Sequence, residues 1–511
     1  MSPRVVSAQQ AVEAITDGAT VATDGFTMMG VAEAIFAAIE ERFVETGHPC
    51  DLVVVHASGQ SNRRGGFEHF AHKGLVRRVV GSHWGLMPRM SGFLGQDLAE
   101  AVCLPQGQIS TLLRAIAGGR PGNLSAIGRG SFVDPRHGGG KINASARAKA
   151  PDYVDLMTID GEDYLFYKAF PLDVGIIRAT SVDEDGNCSQ EEEAVILDAL
   201  AIAQAAHNSG GIVICQAKQL VPRGTIPPKQ VAVPGCLIDL VVVASNPDDQ
   251  HRQTDAVAFD PTYLSPPVLR MDGMDAEPWP PLPLHADARR VSIGRRAIGF
   301  LHDGDVVNIG TGIPGDTVAR ALVESGWIDK VTLTVESGVY GGIPLGGVDF
   351  GIAAHPSAII GHSAQFDFYN GGGIDMTFMG AGQVDALGNV NVSLLGNRVI
   401  GCGGFIDIVQ SAGRVCFCFL FEAGVPKFVP RVDHLTFSAA EALGSGKEVY
   451  YVTERAVFRL EPGGLVLIEI AAGVDLHAEV LDRLPFPVRV AEPLDRPPPL
   501  KAVSNSRTAT D

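Results

Sequence analysis

The sequence has few positive charges and no block of consecutive lysine or arginine residues. Its 58 Asp and Glu residues outnumber its 40 Lys and Arg residues, which gives a formal net charge of −18. Proteins that bind nucleic acid normally need a basic surface to displace counterions, and an acidic chain is not attracted to anionic membranes. We therefore expect no nucleic-acid partner and no membrane partner. Any anionic ligand must be held by backbone dipoles or by a few placed cations.

The sequence also lacks long apolar runs and the common metal-binding motifs. No stretch reaches the roughly 18 apolar residues that span a bilayer. Residues 1–18 contain no continuous apolar segment of a secretory signal, and we expect them to form the first helix of a folded domain. The eight cysteines are scattered, with no C-x-x-C pair, and no H-E-x-x-H motif occurs. These absences predict a cytoplasmic protein with reduced cysteines and no metal site.

The length of 511 residues exceeds what one hydrophobic core normally supports, so at least two domains are expected. Residues 261–290 contain seven prolines and show neither helical nor strand periodicity, which is typical of a linker. We predict an N-terminal domain over residues 1–260 and a C-terminal domain over residues 291–492. The proline-rich and polar residues 493–511 are predicted to be a flexible tail.

The two halves share a sequence pattern. Asp17-Gly18 and Asp303-Gly304 each precede a short apolar strand, two glycines and a helical run. Farther along, Val182–Asn187 is matched by Val384–Asn389, in the same order in both halves. These matches predict a duplication in which the first copy carries about 84 extra residues between the two signposts, by the difference between 166 and 82.

The predicted strands are short, continuous runs of Val and Ile rather than alternating apolar and polar residues. Examples are DLVVVHASG, LIDLVVVAS and KVTLTVESG, and segments such as EEEAVILDALAIAQAAHNSGG are predicted to be helical. Continuous apolar strands are typical of sheets covered on both faces. The predicted fold class is α/β, with two duplicated open α/β/α domains, largely parallel sheets and an active site between them. Ligands of such sheets bind at the carboxyl ends of the strands.

Three glycine-rich stretches in the second half are candidates for the functional site: Asn308–Gly315, Glu336–Gly347 and Gly401–Phe405. The first contains G-x-G-x-x-G, and Glu336 ends the next predicted strand 21 residues after Gly315. This spacing fits a dinucleotide site in an NAD(P)-dependent oxidoreductase. The long glycine-rich loop after Glu336 instead suits an enzyme in which that carboxylate is central. A surface glutamate beside ordinary turns is a third interpretation, and the spacing alone leaves all three open.

Several longer motifs resemble the family I CoA-transferases, and among them the single-chain acetate/propionate and 3-oxoacid types. The resemblance covers nearly the whole chain and is carried by LPQGQIS (104–110), AGGRPG (117–122), YLFYKAFPLDVGIIRAT (164–180), TVESGVYGGIPLGG (334–347), AGQVDALGNVNVS (381–393), GCGGFIDI (401–408) and TERAVFRL (453–460). The segment His56–Gln60 departs from the asparagine-rich segment of the mammalian-type 3-oxoacid enzymes. The departure favours the acetate/propionate-like branch.

The resemblance implies roles for individual residues. Glu336 falls on the family's nucleophile, which forms a glutamyl-CoA thioester in a ping-pong transfer from a short-chain acyl-CoA to a carboxylate. Gly403 and Gly404 fall where backbone donors meet an oxyanion, and Gln106 falls on a side-chain donor from the other domain. The residues expected to hold CoA are Asn308, Ile309, Gly310, Thr311, Gly312 and Gly401.

The same resemblance implies that the enzyme uses acyl-CoA and a carboxylic acid as substrates, needs no cofactor, and forms a homodimer or homotetramer. Hydrolysis of acyl-CoA at the same site stays an alternative, because water need only replace the acceptor carboxylate. His355 and His362 lie near apolar segments and are predicted to be structural residues.

Overall fold

The structure is a computed structural model, and it describes residues 3–266 and 287–497. The strands of the first half are β1 (Arg4–Val6), β2 (Thr20–Thr23), β3 (Leu52–His56), β4 (Val76–Gly81), β5 (Glu100–Cys103), β6 (Gly122–Ser125), β7 (Val154–Ile159), β8 (Glu162–Lys168), β9 (Val174–Asp183), β10 (Cys188–Ser189), β11 (Ile212–Val221), β12 (Val231–Val233) and β13 (Leu240–Val243). Its helices are α1 (Ala8–Val12), α2 (Glu33–Thr46), α3 (Pro88–Gly95), α4 (Gln106–Ala117), α5 (Ala144–Lys149), α6 (Ala199–Asn208) and α7 (Pro247–Gln250).

The second half follows the same alternation of strands and helices. Its strands are β14 (Val306–Ile309), β15 (Thr332–Val335), β16 (Val339–Tyr340), β17 (Ile343–Pro344), β18 (Ala353–Ala354), β19 (Ala358–Ile359), β20 (Met376–Met379), β21 (Gln383–Val384), β22 (Val390–Asn391), β23 (Leu394–Leu395), β24 (Arg398–Val399), β25 (Arg414–Cys418), β26 (Glu448–Val452), β27 (Ala456–Glu461), β28 (Gly464–Ile470) and β29 (Arg489–Asp495). Its helices are α8 (Ala288–Ala297), α9 (Ile313–Ser325), α10 (His362–Asn370), α11 (Phe405–Ser411) and α12 (Ala439–Gly444).

Each half is built on one large sheet with a parallel centre. The first sheet has the order β1-β13-β11-β9-β2-β3-β4-β5, and all neighbours along it are parallel. The second has the order β19-β16-β15-β14-β20-β25-β26-β27-β28-β29, and its central strands β15 to β26 are parallel. Strands such as β9 are buried at every residue, as the continuous apolar runs predicted. The α/β fold class with largely parallel sheets is therefore confirmed.

The two sheets repeat one connectivity. The central order β3-β2-β9-β11-β13 of the first half corresponds to β15-β14-β20-β25-β26 of the second. The shared turns also match in detail, because Asp183 accepts hydrogen bonds from the backbone and side chain of Asn187, and Asp385 accepts the same pair from Asn389. The first copy inserts β4, β5 and the small sheet β6-β8-β7 between its second and third core strands. This insertion explains the extra length of the first copy.

Some local predictions differ from the structure. The chain starts with a strand before its first helix, because Arg4–Val6 adds a parallel edge to β13. Within the segment predicted to be helical around residues 191–211, helix α6 starts only at Ala199. The residues before it form turns in which Glu193 pairs with Arg178 of β9, and both side chains of this pair are 2% exposed. A buried ion pair with a sheet residue outweighs helix propensity here.

The predicted linker and tail are only partly covered by the described residues. Within the predicted linker, Pro261–Tyr263 forms one 3₁₀ turn and α8 begins at Ala288, whereas residues 267–286 lie outside the described part. The last strand continues through Asp495, past the predicted start of the tail at Pro493. Residues 498–511 of the predicted tail lie outside the described part.

The halves pack together through a shared hydrophobic core. One continuous cluster of buried apolar residues extends from the first sheet to Phe366, Phe405 and Phe417 of the second half. Backbone hydrogen bonds also cross the interface, for example from Trp84 to the carbonyl of Ile400. No helix in the described part of the chain is long and apolar enough to cross a membrane.

Candidate active site

A cavity of about 530 Å³ opens between the two halves, at the carboxyl ends of their central strands. The first half contributes residues that follow β2, β3 and β4, and the second half contributes residues that follow β14, β15 and β20. The polar or charged side chains in its lining are Thr27, Arg63, His83, Gln106, Thr311, Asp316, Glu336 and Arg398. The sequence predicted this location from the parallel strands.

Glu336 directly follows β15 and lies at the base of this cavity. Its side chain is 7% exposed, and its Oε2 atom has no hydrogen-bond partner among the described residues. Burial raises the pKa of the Glu336 carboxyl from 4.5 to about 7, although the charge of His362 and the amide of Asn308 act in the opposite direction. A buried carboxylate with a free oxygen that faces a cavity can act as a nucleophile or a base.

The segment Gly401–Phe405 runs past Glu336 in a conformation that only glycine adopts without strain. Gly401 has a φ of +82°, and a Cβ atom there would lie 2.2 Å from the carbonyl oxygen of Ser82. Gly404 precedes helix α11, and a Cβ atom built on it would lie 3.6 Å from Cγ of Glu336. The structure thus brings this segment and Glu336 together.

The two backbone amides predicted as oxyanion donors differ in availability. The amide of Gly403 donates to the carbonyl of Ser82 at 2.8 Å and is therefore occupied by the contact between the halves. The amide of Gly404 has no hydrogen-bond acceptor within residues 3–266 and 287–497. Gly404 is thus the glycine whose amide is free to meet a negatively charged oxygen, while Gly403 holds the loop against the first half.

Gln106 comes from the first half and reaches the same space. It starts helix α4, its side chain is 2% exposed, and its backbone amide donates to the carbonyl of Gly403 at 3.0 Å. The following residue is fixed across the interface as well, because the amide of Gly107 donates to the carboxylate of Asp407 at 3.0 Å. These bonds place the amide group of Gln106 in the cavity wall beside the glycine loop.

The five residues predicted to hold CoA after β14 separate into two groups. Asn308 and Ile309 are buried within the strand, where the Asn308 amide donates to the hydroxyl of Tyr369 at 3.2 Å. Gly310, Thr311 and Gly312 line the cavity at the start of helix α9. The last three residues can therefore contact a ligand, whereas Asn308 supports Glu336 from below.

His362 is a site residue that the sequence analysis missed. It starts helix α10, is 1% exposed, and pairs through Nδ1 with Asp198 at 2.6 Å. Its Nε2 atom lies 2.9 Å from Nε2 of Gln106. A purely structural role, as predicted for His362, does not account for this contact with a cavity residue. The sequence gave no signal, because Asp198, Gln106 and His362 lie far apart along the chain.

One group of described residues brings three potential metal ligands together: Asp17, His48 and Cys50. It lies outside the cavity lining, in the loops before β2 and β3. Asp17 already accepts hydrogen bonds from the imidazole of His48 and the backbone amide of Cys50. The cavity itself therefore draws its chemistry from a carboxylate, amides and an imidazole.

Comparisons with known proteins agree with this geometry. A family model described as Coenzyme A transferase matches residues 5–244 and 291–423. The chain is 40% identical over 506 residues to the caffeate CoA-transferase of Acetobacterium woodii, with 94% of both chains covered. It is 39% identical over 507 residues to the acetate CoA-transferase YdiF of Escherichia coli K12, which covers 94% of this chain and 92% of the relative.

Solved structures show the same similarity in three dimensions. The apoenzyme of the acyl-CoA transferase YdiF from E. coli O157:H7 superimposes with a TM-score of 0.88 at 36% identity, over 97% of this chain and 95% of the other. A thioester complex of that protein with CoA superimposes with a TM-score of 0.87 at 35% identity, over the same shares of the two chains.

Proposed function

The chain belongs to the coenzyme A transferase family, and we propose that it transfers CoA from a short-chain acyl-CoA to a carboxylate through Glu336. The activity class follows from the family. The observation that carries the assignment of Glu336 is its buried carboxylate, whose free Oε2 faces a cavity that both halves line. A glutamate that binds a ribose hydroxyl needs no such enclosure, so the geometry favours CoA transfer over the dinucleotide interpretation of Gly310–Gly315.

The proposed reaction is an exchange of one thioester for another. The Glu336 carboxylate attacks the thioester carbonyl of the acyl-CoA, which forms a mixed anhydride and releases the CoA thiolate. The thiolate then attacks the glutamyl carbonyl, which forms a glutamyl-CoA thioester and releases the first carboxylate. The acceptor carboxylate repeats these steps in reverse and leaves as the new acyl-CoA, while Glu336 is regenerated. Covalent catalysis divides one difficult exchange into easier acyl transfers.

The surrounding groups would stabilise the charge that develops in each step. A carboxylate is a weak nucleophile toward a thioester, so the tetrahedral oxyanion needs donors that are already in place. The free amide of Gly404 lies beside Glu336, and the side chain of Gln106 lines the same cavity. Loss of one such donor typically costs about 3–4 kcal/mol of activation free energy.

The ends of the cavity suggest where the parts of the substrate bind. Near Glu336, the rings of Phe26 and Phe350 form an apolar wall, with their centroids 5.9 Å apart. This wall suits the alkyl part of a short acyl group. Arg63 and Arg398 line the cavity with largely exposed guanidinium groups, which suit the phosphates of CoA. Coenzyme A esters are thus proposed as substrates, and the catalytic cycle requires no added cofactor.

The surface offers support for a homodimer or homotetramer. Strand β7 is an edge of the small sheet β6-β8-β7, and its Leu156, Met157 and Ile159 are 37%, 42% and 41% exposed. An exposed apolar edge strand is a site for pairing with another chain. Light scattering on the purified protein tests the proposed assembly, and Met157→Lys should shift it toward the monomer.

Steady-state kinetics test transfer against hydrolysis. We expect parallel lines in double-reciprocal plots, as a ping-pong mechanism requires, and acyl-CoA consumption that depends on added acetate or a similar short acid. Glu336→Ala should abolish exchange, and Glu336→Asp should do the same because it withdraws the carboxylate by one methylene. Acyl-CoA consumption at an equal rate without any acceptor acid would identify the enzyme as a hydrolase instead.

A further inference from the structure

A buried chain of hydrogen bonds crosses the interface behind the cavity and ends at Gln106. The hydroxyl of Ser110 donates to Oδ1 of Asp198 at 2.5 Å, and Oδ2 of Asp198 pairs with Nδ1 of His362 at 2.6 Å. Nε2 of His362 then meets the side-chain amide of Gln106 at 2.9 Å. The side chains of Asp198, His362 and Gln106 are all 3% exposed or less. The described chain contains no solvent-exposed member at this point, so each group must satisfy the next one directly.

The charge of His362 determines which end of the Gln106 amide it can contact. Neutral His362 donates from Nδ1 to Asp198, and its Nε2 must accept a hydrogen bond from the NH2 group of Gln106. The carbonyl oxygen of Gln106 then faces Gly403, where it lies 3.7 Å from the position of a built Cβ atom. An imidazolium donates from both nitrogens, so Gln106 must turn its carbonyl oxygen to His362. Its NH2 group then faces the cavity, and the two ends are nearly equal in shape.

The groups packed around His362 favour the imidazolium. The titratable side chains that face it are Asp198 and Asp24 from the first half, Glu336 after β15, and Asp407 on α11. Burial alone would lower the pKa of His362, but the negative charges of Asp198, Asp24 and Glu336 together raise it above its ordinary value of 6.5. Asp24 also contacts the Asp198 backbone, because it accepts a hydrogen bond from that amide at 3.2 Å.

We propose that the His362–Asp198 pair is a positioning device for Gln106, and that imidazolium at His362 turns the NH2 group of Gln106 toward the reacting carbonyl. With neutral His362, the amide presents an oxygen to the cavity and repels the oxyanion. With the imidazolium, the amide presents a donor, and the free amide of Gly404 completes a pair of donors. The inference rests on the proposed function, because the orientation matters only if an acyl carbonyl binds between Glu336 and Gln106.

The first test compares two buried aspartates that both lie at the start of α4. Asp198→Asn removes the carboxylate that stabilises the imidazolium, so His362 should lose its proton at lower pH. The alkaline limb of the pH profile of kcat/KM for acyl-CoA should move down by about one unit or more. Asp407→Asn is the matched control, because Asp407 holds Gly107 and Gln108 without touching His362. Its alkaline limb should move by less than half as much, even if kcat falls.

The second test replaces the imidazole itself. His362→Gln keeps a donor for Gln106 but does not titrate, so exchange should persist at a lower rate that no longer falls between about pH 7 and 9. His362→Leu offers no donor and should lower kcat by ~10²–10³-fold, with the KM for acyl-CoA close to that of the unmodified enzyme. A role in packing alone predicts that both variants lose activity together and keep the same alkaline limb.

The charge of His362 can be measured without relying on turnover. In protein labelled with ¹⁵N-histidine, both ring nitrogens of His362 should carry protons at pH 7, with the resonances assigned by their loss in His362→Gln. A neutral His362 in an enzyme that still forms an adduct on Glu336 would overturn the inference and leave the proposed function standing. Absence of any Glu336 adduct in the unmodified enzyme would instead overturn the proposed function.

Discussion

At the scale of single residues, the free enzyme holds Glu336 in an environment that disfavours its charge. Its carboxyl is buried, its pKa is raised to about 7, and one oxygen lacks a partner among the described residues. Sites that store such strain are common where chemistry occurs. An acyl carbonyl that enters the cavity converts this poorly solvated carboxylate into a bond-forming group, so the instability of the free site contributes to its reactivity.

This strain predicts that removal of the charge stabilises the protein. The folded pKa of Glu336 lies above 4.5, so the stability that its neutral form gives is fully present below pH 4.5 and is lost as pH rises through about 7. The loss amounts to about 3 kcal/mol at high pH if each pKa unit is worth about 1.36 kcal/mol. Glu336→Gln should therefore raise the Tm at pH 8 in calorimetry, and the gain should vanish near pH 4.5.

A second buried glutamate supplies the control with the opposite sign. Arg178 and His251 hold the pKa of Glu193 at about 2 despite its burial, so its charged form stabilises the fold above pH 4.5. Glu193→Gln should therefore lower the Tm at pH 8. Equal changes of Tm for Glu336→Gln at both pH values would contradict the account of strain at the site.

The sequence predicted some site residues and not others for a physical reason. Glu336 and the segment Gly401–Phe405 belong to contiguous motifs, whose chemistry is visible in the order of the letters. Whether the amide of Gly403 or of Gly404 is free depends on a bond to Ser82, more than 300 residues away. The same holds for His362, whose partners Asp198 and Gln106 come from the other half. Contacts between distant segments leave no local pattern.

At the scale of elements, the loop before α11 is a joint between the halves as well as a part of the site. It receives the backbone of the first half through a bridge between His83 and Gly401 and through the bond from Gly403 to Ser82. Helix α4 binds back to it through Gln106. Two elements from different halves thereby fix each other at the point where the reacting atoms are expected.

This joint can be tested with two glycines that have similar backbones and different surroundings. Gly401 and Gly396 both have positive φ, +82° and +59°, but a Cβ on Gly401 would meet the Ser82 carbonyl at 2.2 Å, whereas nothing lies within 4 Å of one on Gly396. Gly396→Ala should cost about 1–2 kcal/mol of stability and retain activity. Gly401→Ala should abolish exchange because the loop must move. Equal activities of the two variants would contradict this role.

Elements with one strong local pattern were predicted well, and elements set by distant partners were not. The helices after both repeated strands, α2 and α9, follow amphipathic runs that the sequence shows directly. The repeated turns at Asp183 and Asp385 were also visible, because one aspartate and one asparagine close each turn locally. Strand β1 was missed because three residues form it only by pairing with β13, more than 230 positions away.

At the scale of the whole molecule, the enzyme is two copies of one fold that must meet to form a site. Each copy supplies one wall of the cavity, and the buried core is continuous across the interface. The sequence predicted the duplication from short matches, but it gave no information on how the copies face each other. That arrangement depends on the interface contacts of the glycine loop and α4.

The interface predicts that the connection between the halves is dispensable after folding. A protease site placed within residues 267–286 should allow cleavage into two fragments that remain associated, because backbone bonds and a shared core hold the halves together. Exchange activity of the cut protein should stay within about twofold of the intact chain, and the fragments should elute together in size-exclusion chromatography. Separation of the fragments without denaturant would show that the interface is weaker than the structure indicates.

The central claim, that Glu336 carries CoA during turnover, can be tested directly by mass spectrometry of the trapped enzyme. Incubation with acyl-CoA in the absence of an acceptor should add the mass of CoA to the protein through a thioester, and mild borohydride should reduce that thioester to an alcohol. Peptide mapping should then place the reduced side chain at position 336, and Glu336→Gln should show no adduct. A trapped adduct on any other residue, or unmodified protein after full consumption of acyl-CoA, would contradict the account.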